Sequence, residues 1–451
     1  MFFTIGGFAF LLSVLFLLYL ALILVPFLRD KPVVPGDPDD FHWHFFIPCR
    51  DEEAVLATTI ERARTNFPNA HLWVIDDDSD DETLAIAEEY ARFDPHVHVV
   101  ARKRPNARLG KGAALNQAYA ELSDWLPARA NRDLEIVIVL DADGELAENA
   151  LEIVSSDSVF GDDENGAAQI TVWMKNRDDK NPVPGGSAFK NRFGRLLIRM
   201  QDMEFRTVNA AMQSLRSRAG TVGLGGNGQF TRLSILDRIG DEYGTPWHGS
   251  LLEDYELGLH VVLTGSTTKN VNDTHVSQEA LPSMKRFVTQ RTRWAQGNIE
   301  CVGYIPKVVK SPYVTAAGAL ETTYYLLLPY LQTLGMIALA LLGFSALLDG
   351  LAHPDVLDAF VRVWWSVLTI YIVFTLAPFV LWGPIYRKRC EPDLDLATSI
   401  RYGFCFAIYI YYMYLVLPAA FVRKYSGKTG WAKTRRNGEV AARGAAIAVE
   451  H

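Results

Sequence analysis

The sequence predicts an α/β domain with a mostly parallel sheet, flanked by helices that span a membrane. Between residues 41 and 300, short apolar runs alternate with helix-like segments, a pattern typical of strands joined by crossover helices. Long apolar segments lie at both ends of the 451-residue chain, whose hydrophobic content is 49%. An apolar run at residues 136–140 leads directly into two aspartates, which predicts a buried strand with carboxylates at its end.

The overall composition narrows the class of protein. The formal net charge of −8 argues against a nucleic acid as the main partner. The four cysteines are scattered and form no CxxC pair, which disfavours a zinc site or a disulfide framework and fits a reducing compartment. A chain of this length has room for two or three domains.

The amino-terminal segment is predicted to be a retained transmembrane helix. Residues 1–28 carry no charged side chain and are long enough to cross a bilayer. A signal peptide would need a basic amino-terminal segment, a shorter apolar core and a small-residue cleavage site, and none is present. Arg29 and Lys31 follow, so the positive-inside rule places the next domain in the cytoplasm. Residues 29–40, with three prolines, are predicted to link this helix to a domain at 41–283.

Polar loops follow several predicted strands. Strands are predicted at 44–48, 72–75, 97–101 and 136–140, and helices at 52–66, 83–93 and 111–122. The carboxyl ends of parallel strands meet at one edge of the sheet, where open α/β sheets bind their ligands. We therefore expect Asp76, Asp77 and Asp78 to lie near Asp141 and Asp143.

The pair Asp141 and Asp143 offers two hard oxygen donors at positions i and i+2. Such donors suit a Mg²⁺ or Mn²⁺ ion that also carries a substrate diphosphate. The alternative is an acidic, solvated turn, because Asp-x-Asp is short and common. A divalent metal would also offset the repulsion between the two acidic clusters. A basic segment could supply further charge to a phosphate, with a solvated loop as the alternative: Arg102, Lys103, Arg104, Arg108 and Lys111.

Two further motifs lie downstream. Residues 223–228 contain four glycines in six positions, which permits close backbone approach or a positive φ, with a surface turn as the alternative. Glu253 and Asp254 begin a predicted amphipathic helix. There they either interact with the helix dipole or include a general base at the sheet edge.

Gln290, Arg293 and Trp294 fall at i, i+3 and i+4, on one face of a predicted helix. An amide, a guanidinium and an indole on one face could stack on a sugar or base and hydrogen-bond a phosphate. The alternative is a helix at the membrane surface with a Trp anchor, and one helix can serve as both a binding face and a surface helix. Residues 284–312 are predicted to form interface helices of this kind.

The carboxyl-terminal part, residues 313–422, is predicted to cross the membrane about three times, at 319–347, 360–385 and 402–422. The first intervening loop is acidic and the second contains three basic residues at 387–389, which places them outside and inside, respectively. The basic tail at 423–451 then falls outside, against the positive-inside rule. Either one segment is an interface helix or the tail breaks the rule.

Six motifs in this order resemble those of the membrane-embedded family 2 glycosyltransferases, a group that includes cellulose, chitin and hyaluronan synthases. They are IPCRDEE at 47–53, DDDSDDET at 76–83, KGAALN at 111–116, DAD at 141–143, ED at 253–254 and the QxxRW pattern at 290–294. Asp51 replaces the asparagine usual in the first motif. Residues 226–229 lie where relatives carry an acceptor-side motif, but the residues differ, which leaves the acceptor open.

The resemblance implies a GT-A fold, which is a Rossmann-like α/β fold, on the cytoplasmic face of a multi-pass protein in the plasma (inner) membrane. It also implies a UDP-sugar donor. Asp254, with Glu253, would deprotonate the acceptor hydroxyl, and Asp143, helped by Asp141, would hold Mg²⁺ or Mn²⁺ on the diphosphate. Donor-binding residues would be Asp76, Asp77, Lys111, Asp141, Gln290 and Arg293, and acceptor-binding residues would be Trp294, Gly226, Asn227 and Gln229.

The motifs and the membrane segments are compared with three functions. The leading prediction is an inverting, processive transferase that extends and exports a β-linked polysaccharide of glucose or N-acetylglucosamine. The alternative is a non-processive transferase that adds one sugar to a membrane lipid, as ceramide glucosyltransferases do, and the small number of predicted spans favours it. A non-catalytic membrane subunit or transporter is disfavoured by the intact acidic motifs. The pattern is also compatible with a partner subunit in the membrane.

Overall fold

The computed structural model describes residues 2–352, 372 and 376–428, and a mixed eight-stranded sheet forms its centre. The strands are β1 (His42–Cys49), β2 (His71–Asp77), β3 (Val97–Arg102), β4 (Glu135–Val139), β5 (Glu145–Leu146), β6 (Asn165–Met174), β7 (Gln229–Arg232) and β8 (Thr267–Gln278). Their order across the sheet is β3-β2-β1-β4-β7-β6-β8-β5.

Helices cover both faces of this sheet and continue into the apolar ends of the chain. The helices are α1 (Phe2–Leu28), α2 (Leu56–Asn66), α3 (Thr83–Phe93), α4 (Lys111–Trp125), α5 (Ala150–Val154), α6 (Ala188–Met203), α7 (Ala210–Ala219), α8 (Leu233–Tyr243), α9 (Glu253–Leu263), α10 (Met284–Cys301), α11 (Ile305–Lys310), α12 (Ala316–Ala352), α13 (Ala377–Val380), α14 (Trp382–Arg389), α15 (Leu396–Tyr409) and α16 (Met413–Tyr425). A π-helical turn, Glu204–Asn209, joins α6 to α7.

The first half of the sheet is parallel and buried on both faces. β1 lies between β2 and β4, and β3 pairs with β2, all in parallel register. Phe45 belongs to the core cluster that contains Ile60 of α2, whereas the next residue, Phe46, belongs to the cluster that contains Leu115 of α4. Burial on both faces explains why these strands are continuous apolar runs rather than alternating ones.

The second half of the sheet is mixed. β7 pairs antiparallel with β4 and β6, and β6 pairs parallel with β8 through two shifts of register. β8 has the polar sequence TTKNVNDTHVSQ, so no apolar pattern predicted it. This half places a polar surface beside the carboxyl edge of β4.

Two predicted helices differ from the structure. The first was expected at residues 52–66 but begins at Leu56, because Asp51 has a positive φ of 53° and the chain turns before the helix. The helix that starts at Glu253 was expected to be amphipathic, but residues 255–262 are all buried. It lies inside the domain, between the sheet and other helices.

The described part of the chain contains three helical segments that are long and apolar enough to cross a membrane. They are Phe10–Leu28, Ala316–Ser345 and Leu396–Tyr425. They correspond to the predicted segments at 1–28, 319–347 and 402–422. Most of the predicted segment at 360–385 and nearly all of the predicted tail lie outside the described residues, so their topology stays a prediction.

Candidate active site

A cavity of about 520 Å³ opens at the carboxyl edge of the parallel strands and extends to the apolar helices α12 and α16. At the sheet edge its walls include the strand ends, the glycine loop (residues 223–228), the start of α9 and the face of α10. The lining includes most of the predicted site residues: Asp77, Lys111, Asp141, Gly226, Asn227, Glu253, Asp254, Gln290, Arg293 and Trp294.

The acidic loop after β2 is balanced by arginines of the same domain. Asp77 Oδ1 accepts hydrogen bonds from the Arg102 guanidinium and, at 3.0 Å, from the backbone N–H of Arg108. Asp78 has a positive φ of 61° and pairs with Arg104 and Arg108. The sequence left open whether these three arginines supply charge to a phosphate or form a solvated loop. The structure shows instead that they bind the acidic loop.

Three predicted site residues lie behind the cavity wall. Asp76 is fully buried, and this burial raises the pKa of its carboxyl group. Asp143 is also buried, and its Oδ2 accepts the N–H of Glu279 at 3.2 Å. Gln229 lies within β7 and is only 1% exposed, so its predicted role in binding the acceptor has no support from its position.

Lys111 joins two sides of the cavity. It is the first residue of α4, and its Nζ donates to Asp141 Oδ1 at 2.7 Å and to the carbonyl oxygen of Gly226 at 2.6 Å. Burial opposes its charge, but the neighbouring carboxylates of Asp141, Glu253 and Asp254 outweigh burial and raise the pKa of Lys111. The ammonium group therefore stays protonated and supplies a fixed positive charge beside Asp141.

Asp141 presents the more accessible carboxylate of the Asp-x-Asp motif. Its side chain is one-third exposed at the cavity, and its backbone N–H donates to Asn227 Oδ1 at 3.1 Å. The described residues contain no cluster of three or more His, Cys, Asp or Glu side chains placed to hold a metal without other ligands. Any metal at this motif would therefore need donor atoms from a bound ligand.

Glu253 and Asp254 form a pair of half-buried carboxylates at the start of α9. Asp254 Oδ2 accepts the N–H of Gly226, and its Oδ1 accepts the N–H of Tyr255 at 2.7 Å. Burial raises the pKa of both groups, and that of Glu253 reaches about 8, helped by the charge of Asp254. The positive charge of Lys111 lowers both pKa values and so limits this rise. A carboxylate with a raised pKa is a better proton acceptor, which suits a general base.

The glycine loop is part of the site and not a surface turn. A Cβ atom added at Gly226 would lie 2.8 Å from Lys111 Nζ and 3.0 Å from Asp254 Oδ2. The loop is held by Gln169 of β6, whose Oε1 accepts the N–H of Gly225 at 2.8 Å and whose Nε2 donates to the carbonyl oxygen of Asn227 at 2.9 Å. Sequence reasoning missed Gln169 because it lies in no recognised motif.

Helix α10 presents Gln290, Arg293 and Trp294 to the cavity on one face, as the spacing predicts. The guanidinium of Arg291 lies 4.4 Å from the centre of the Trp294 ring. The charge of Arg291 is in turn balanced by Glu204, at 2.6 Å. Glu204 is a second residue that sequence reasoning missed.

The membrane end of the cavity carries balanced charges and apolar side chains. Glu204 also accepts hydrogen bonds from Tyr409 at 2.7 Å and Tyr412 at 2.9 Å. Arg216 pairs with Glu321 of α12 at 2.7 Å. Beyond these pairs, most of the lining that the two helices of the candidate spans contribute is apolar, with Tyr325 and Gln332 as polar members. The apolar residues are Leu328, Pro329, Met413, Val416 and Leu417.

A Rossmann-like sheet, with an acidic loop, an Asp-x-Asp turn and a buried carboxylate pair around one cavity, has the architecture of GT-A glycosyltransferases. Residues 42–297 match the family model described as "Glycosyltransferase like family 2". This match covers more than half of the chain. The chain therefore belongs to the family 2 glycosyltransferases.

The curated relatives are distant in sequence, but their alignments with this chain are hundreds of residues long. The chain is 27% identical over 259 residues to the "Beta-monoglucosyldiacylglycerol synthase" of Trichormus variabilis, an alignment that covers 56% of this chain and 48% of the relative. The enzyme of the same name from Synechocystis is 24% identical over 408 residues, which covers 87% and 74% of the two chains. The chain thus spans about half the length of the first of these relatives.

Among solved structures, the chain is similar to the mannosyltransferase PcManGT of Pyrobaculum calidifontis, determined in complex with GDP-Man and Mn²⁺. The TM-score is 0.56 at 16% sequence identity, and the match covers 95% of this chain and 98% of the other. A likeness at this identity establishes the shared fold.

Proposed function

We propose that the protein transfers one hexose from a UDP-sugar to a hydroxyl group of a membrane lipid, with inversion at the anomeric carbon. The observation that carries this proposal is the continuity of the cavity. One end holds Asp141 and Asp254, and the other end is lined by apolar residues of two helices that can span a membrane. A lipid could therefore leave its chains among α12 and α16 while its hydroxyl group reaches Asp254.

The charges at the membrane end support an acceptor without a phosphate group. Arg291 is paired with Glu204, and Arg216 is paired with Glu321. Each of these cations already has a carboxylate partner, so an anionic headgroup would have to compete with it. An uncharged lipid alcohol would fit this part of the cavity without breaking an ion pair, which is costly in a partly buried place.

The named relatives support a lipid acceptor better than a growing polymer. Their names describe the synthesis of a monoglucosyldiacylglycerol, which is a lipid that carries one glucose, and the Synechocystis match covers 87% of this chain. The leading expectation from the sequence was a processive polysaccharide synthase. The single-addition alternative now has the stronger support, and glucose or N-acetylglucosamine remains the expected sugar.

A divalent ion fits the donor side. Asp141 is a hard oxygen donor exposed at the cavity after β4, and diphosphate oxygens would supply further members of the all-oxygen set that Mg²⁺ or Mn²⁺ prefers. Asp143, the other predicted metal ligand, lies behind the cavity wall. When bound, such an ion would neutralise the diphosphate leaving group. Asp77 would face the nucleoside base, while Lys111, Gln290 and Arg293 would face the donor phosphates.

Asp254 would act as the general base. It would take the proton of the acceptor hydroxyl as that oxygen bonds to the anomeric carbon, while the bond from this carbon to the diphosphate oxygen breaks. UDP then carries the leaving electron pair. A single displacement of this kind inverts the anomeric centre, and it needs the base and the leaving group on opposite faces of the sugar. Trp294 would support the acceptor beside Asp254.

The test is turnover by the purified protein in detergent. Radiolabelled UDP-glucose and UDP-N-acetylglucosamine would each be supplied with diacylglycerol or ceramide and Mg²⁺ or Mn²⁺, and product would be partitioned into organic solvent. We expect label in the organic phase, lost with EDTA and reduced by at least about 10³-fold in Asp254→Asn. Asp241→Asn, on the exposed surface of α8, is the matched control and should keep full activity. High-molecular-weight label would overturn the single-addition proposal.

A further inference from the structure

Helix α6 exposes an apolar stripe that nothing in the domain covers among the described residues. Phe189, Phe193 and Leu196 are 77%, 39% and 37% exposed. They occupy positions i, i+4 and i+7, which lie on one face of a helix. Single exposed apolar residues are common, but two phenylalanines and a leucine in one stripe mark a surface that contacts something apolar.

Basic side chains flank this stripe. Lys190, Arg192 and Arg195 are exposed on α6 beside it. Residues 175–199 contain seven basic and two acidic side chains, a net charge of +5 in a chain whose net charge is −8. One of the two acidic residues, Asp178, is already paired with Arg199 at 2.6 Å. The surface of α6 therefore combines exposed apolar side chains with an excess of positive charge.

The opposite face of α6 fixes where this surface lies. Leu197 and Met200 belong to one buried cluster with Ile23 of α1 and with Trp382 and Phe406 of α14 and α15. Arg199 also donates to the hydroxyl of Tyr386 of α14, at 3.2 Å. The helix thus packs directly against two of the segments that can cross a membrane.

The apolar surface continues from α6 onto its neighbour. Leu396, Ile400 and Phe404 are exposed on α15, at the start of the candidate span Leu396–Tyr425. These residues also repeat every four positions, so they form a stripe on one side of the span. A bilayer that surrounds this stripe has its polar boundary beside α6.

We propose that α6 lies in the headgroup region of an anionic bilayer, with Phe189, Phe193 and Leu196 among the acyl chains and Lys190, Arg192 and Arg195 against acidic headgroups. An interfacial helix has this pattern of an apolar stripe flanked by Lys and Arg. The long basic side chains can reach the headgroups while their stems cover apolar surface. Each such residue adds attraction to an anionic surface. This surface is separate from the cavity, so it does not depend on the proposed acceptor.

The test uses a spin label on the full chain in nanodiscs of phosphatidylcholine and phosphatidylglycerol. Phe193→Cys and, as a control, Phe93→Cys would be labelled in a Cys390→Ala/Cys405→Ala background, because the other two cysteines are buried. Phe93 is 78% exposed at the end of α3, which packs on the β2–β3 end of the sheet. Accessibility of each label to oxygen and to the water-soluble reagent NiEDDA would then be compared.

We expect the label at 193 to be accessible to oxygen and protected from NiEDDA, and the label at 93 to be accessible to NiEDDA. Adding Arg192→Gln and Arg195→Gln should raise NiEDDA access at position 193 in these nanodiscs. In the double variant, omitting phosphatidylglycerol should then raise this access by a smaller amount. Equal NiEDDA access at both positions would show that α6 lies in water and overturn the proposal. Protection from both reagents would show that protein covers the stripe, which would also overturn it. None of these results depends on transferase activity.

Discussion

Lys111 connects the donor side of the site to the proposed base. Its ammonium group lies between Asp141 and the carbonyl oxygen of Gly226, and its charge lowers the pKa values of Glu253 and Asp254. Burial raises the same two pKa values more strongly. A base must be deprotonated to act, so the rate of transfer should fall as the pH drops through this raised range and not at the pKa of an ordinary carboxyl group.

Replacing Lys111 with methionine tests this connection. Without the ammonium group the protonated carboxyl pair is favoured further, so the acidic limb of the pH profile of kcat/KM should move to higher pH by about one unit or more. Lys103→Met removes an exposed lysine in the segment before α4 and should leave the limb in place. A limb that stays, or moves to lower pH, in Lys111→Met would show that Lys111 does not control the base.

Gly226 is required for a different reason, which is close packing. A methyl group at this position would lie 2.8 Å from Lys111 Nζ and 3.0 Å from Asp254 Oδ2, which is closer than ordinary van der Waals contact. We expect Gly226→Ala to lower kcat by about 10²-fold, because a displacement on this scale misplaces the base. Gly249→Ala is the control, since a Cβ there meets nothing within 4 Å. Circular dichroism should show both variants folded, and equal activities would contradict the assigned role.

At the residue scale, motifs predicted the cavity wall well and its supports poorly. Asp77, Lys111, Asp141 and Asp254 all lie in short patterns whose residue types suit the chemistry. Gln169 has no such pattern, because its function is to hold backbone atoms of a distant loop. Such contacts depend on pairing between strands that are far apart in the sequence, and one sequence does not reveal this pairing.

Among the elements, α10 links the membrane helices to the loop before the proposed base. Glu300 Oε2 accepts the N–H of Leu251 at 3.1 Å, and its Oε1 lies 3.6 Å from Lys424 Nζ. One turn earlier, Gln296 accepts a hydrogen bond from Arg423 at 3.0 Å. The end of α16 is thus connected through α10 to the residues that precede Glu253.

This connection predicts that Glu300 positions the base without touching substrate. Glu300→Ala removes the acceptor for the Leu251 N–H, and we expect kcat to fall about tenfold while the KM for the UDP-sugar changes little. Glu300→Gln keeps an oxygen for this bond and should restore most of kcat, even though it loses the ion pair with Lys424. Equal losses in both variants would assign the effect to the charge and not to the hydrogen bond.

The elements themselves were predictable where burial on two faces made continuous apolar runs. The first four strands were located to within about two residues of their bounds for this reason. β8 was not predicted, because its polar residues bond to neighbouring loops and strands rather than to an apolar core: Thr268 donates to the carbonyl oxygen of Val222 at 3.0 Å, for example. Helix α6 was not predicted either, since its apolar residues divide between a buried face and an exposed stripe.

At the scale of the whole molecule, the cavity joins segments that are far apart in the chain. Asp141 follows β4, Asp254 begins α9, and Val416 belongs to α16, yet all three line one space. The sequence predicted the sheet edge from motifs and the apolar helices from hydropathy, as separate features. Hydropathy indicates which segments are buried in lipid or protein but not which ligand site they adjoin. The contact between the apolar helices and the sheet edge around one cavity was therefore not predictable.

A side chain that fills the membrane end of the cavity tests the proposed path of the lipid. Val416 lines the cavity and is 1% exposed, whereas the adjacent Leu415 is 61% exposed and points away from it. We expect Val416→Trp to reduce transfer to the lipid at least about tenfold, because the indole occupies space that the acceptor needs, while Leu415→Trp stays near the original activity. UDP affinity, measured by calorimetry, should be unchanged in both variants, since the donor end is distant from the substitution.

Reduced UDP affinity in Val416→Trp would instead indicate a damaged fold. Unimpaired transfer with normal UDP binding would show that the acceptor reaches Asp254 by another route.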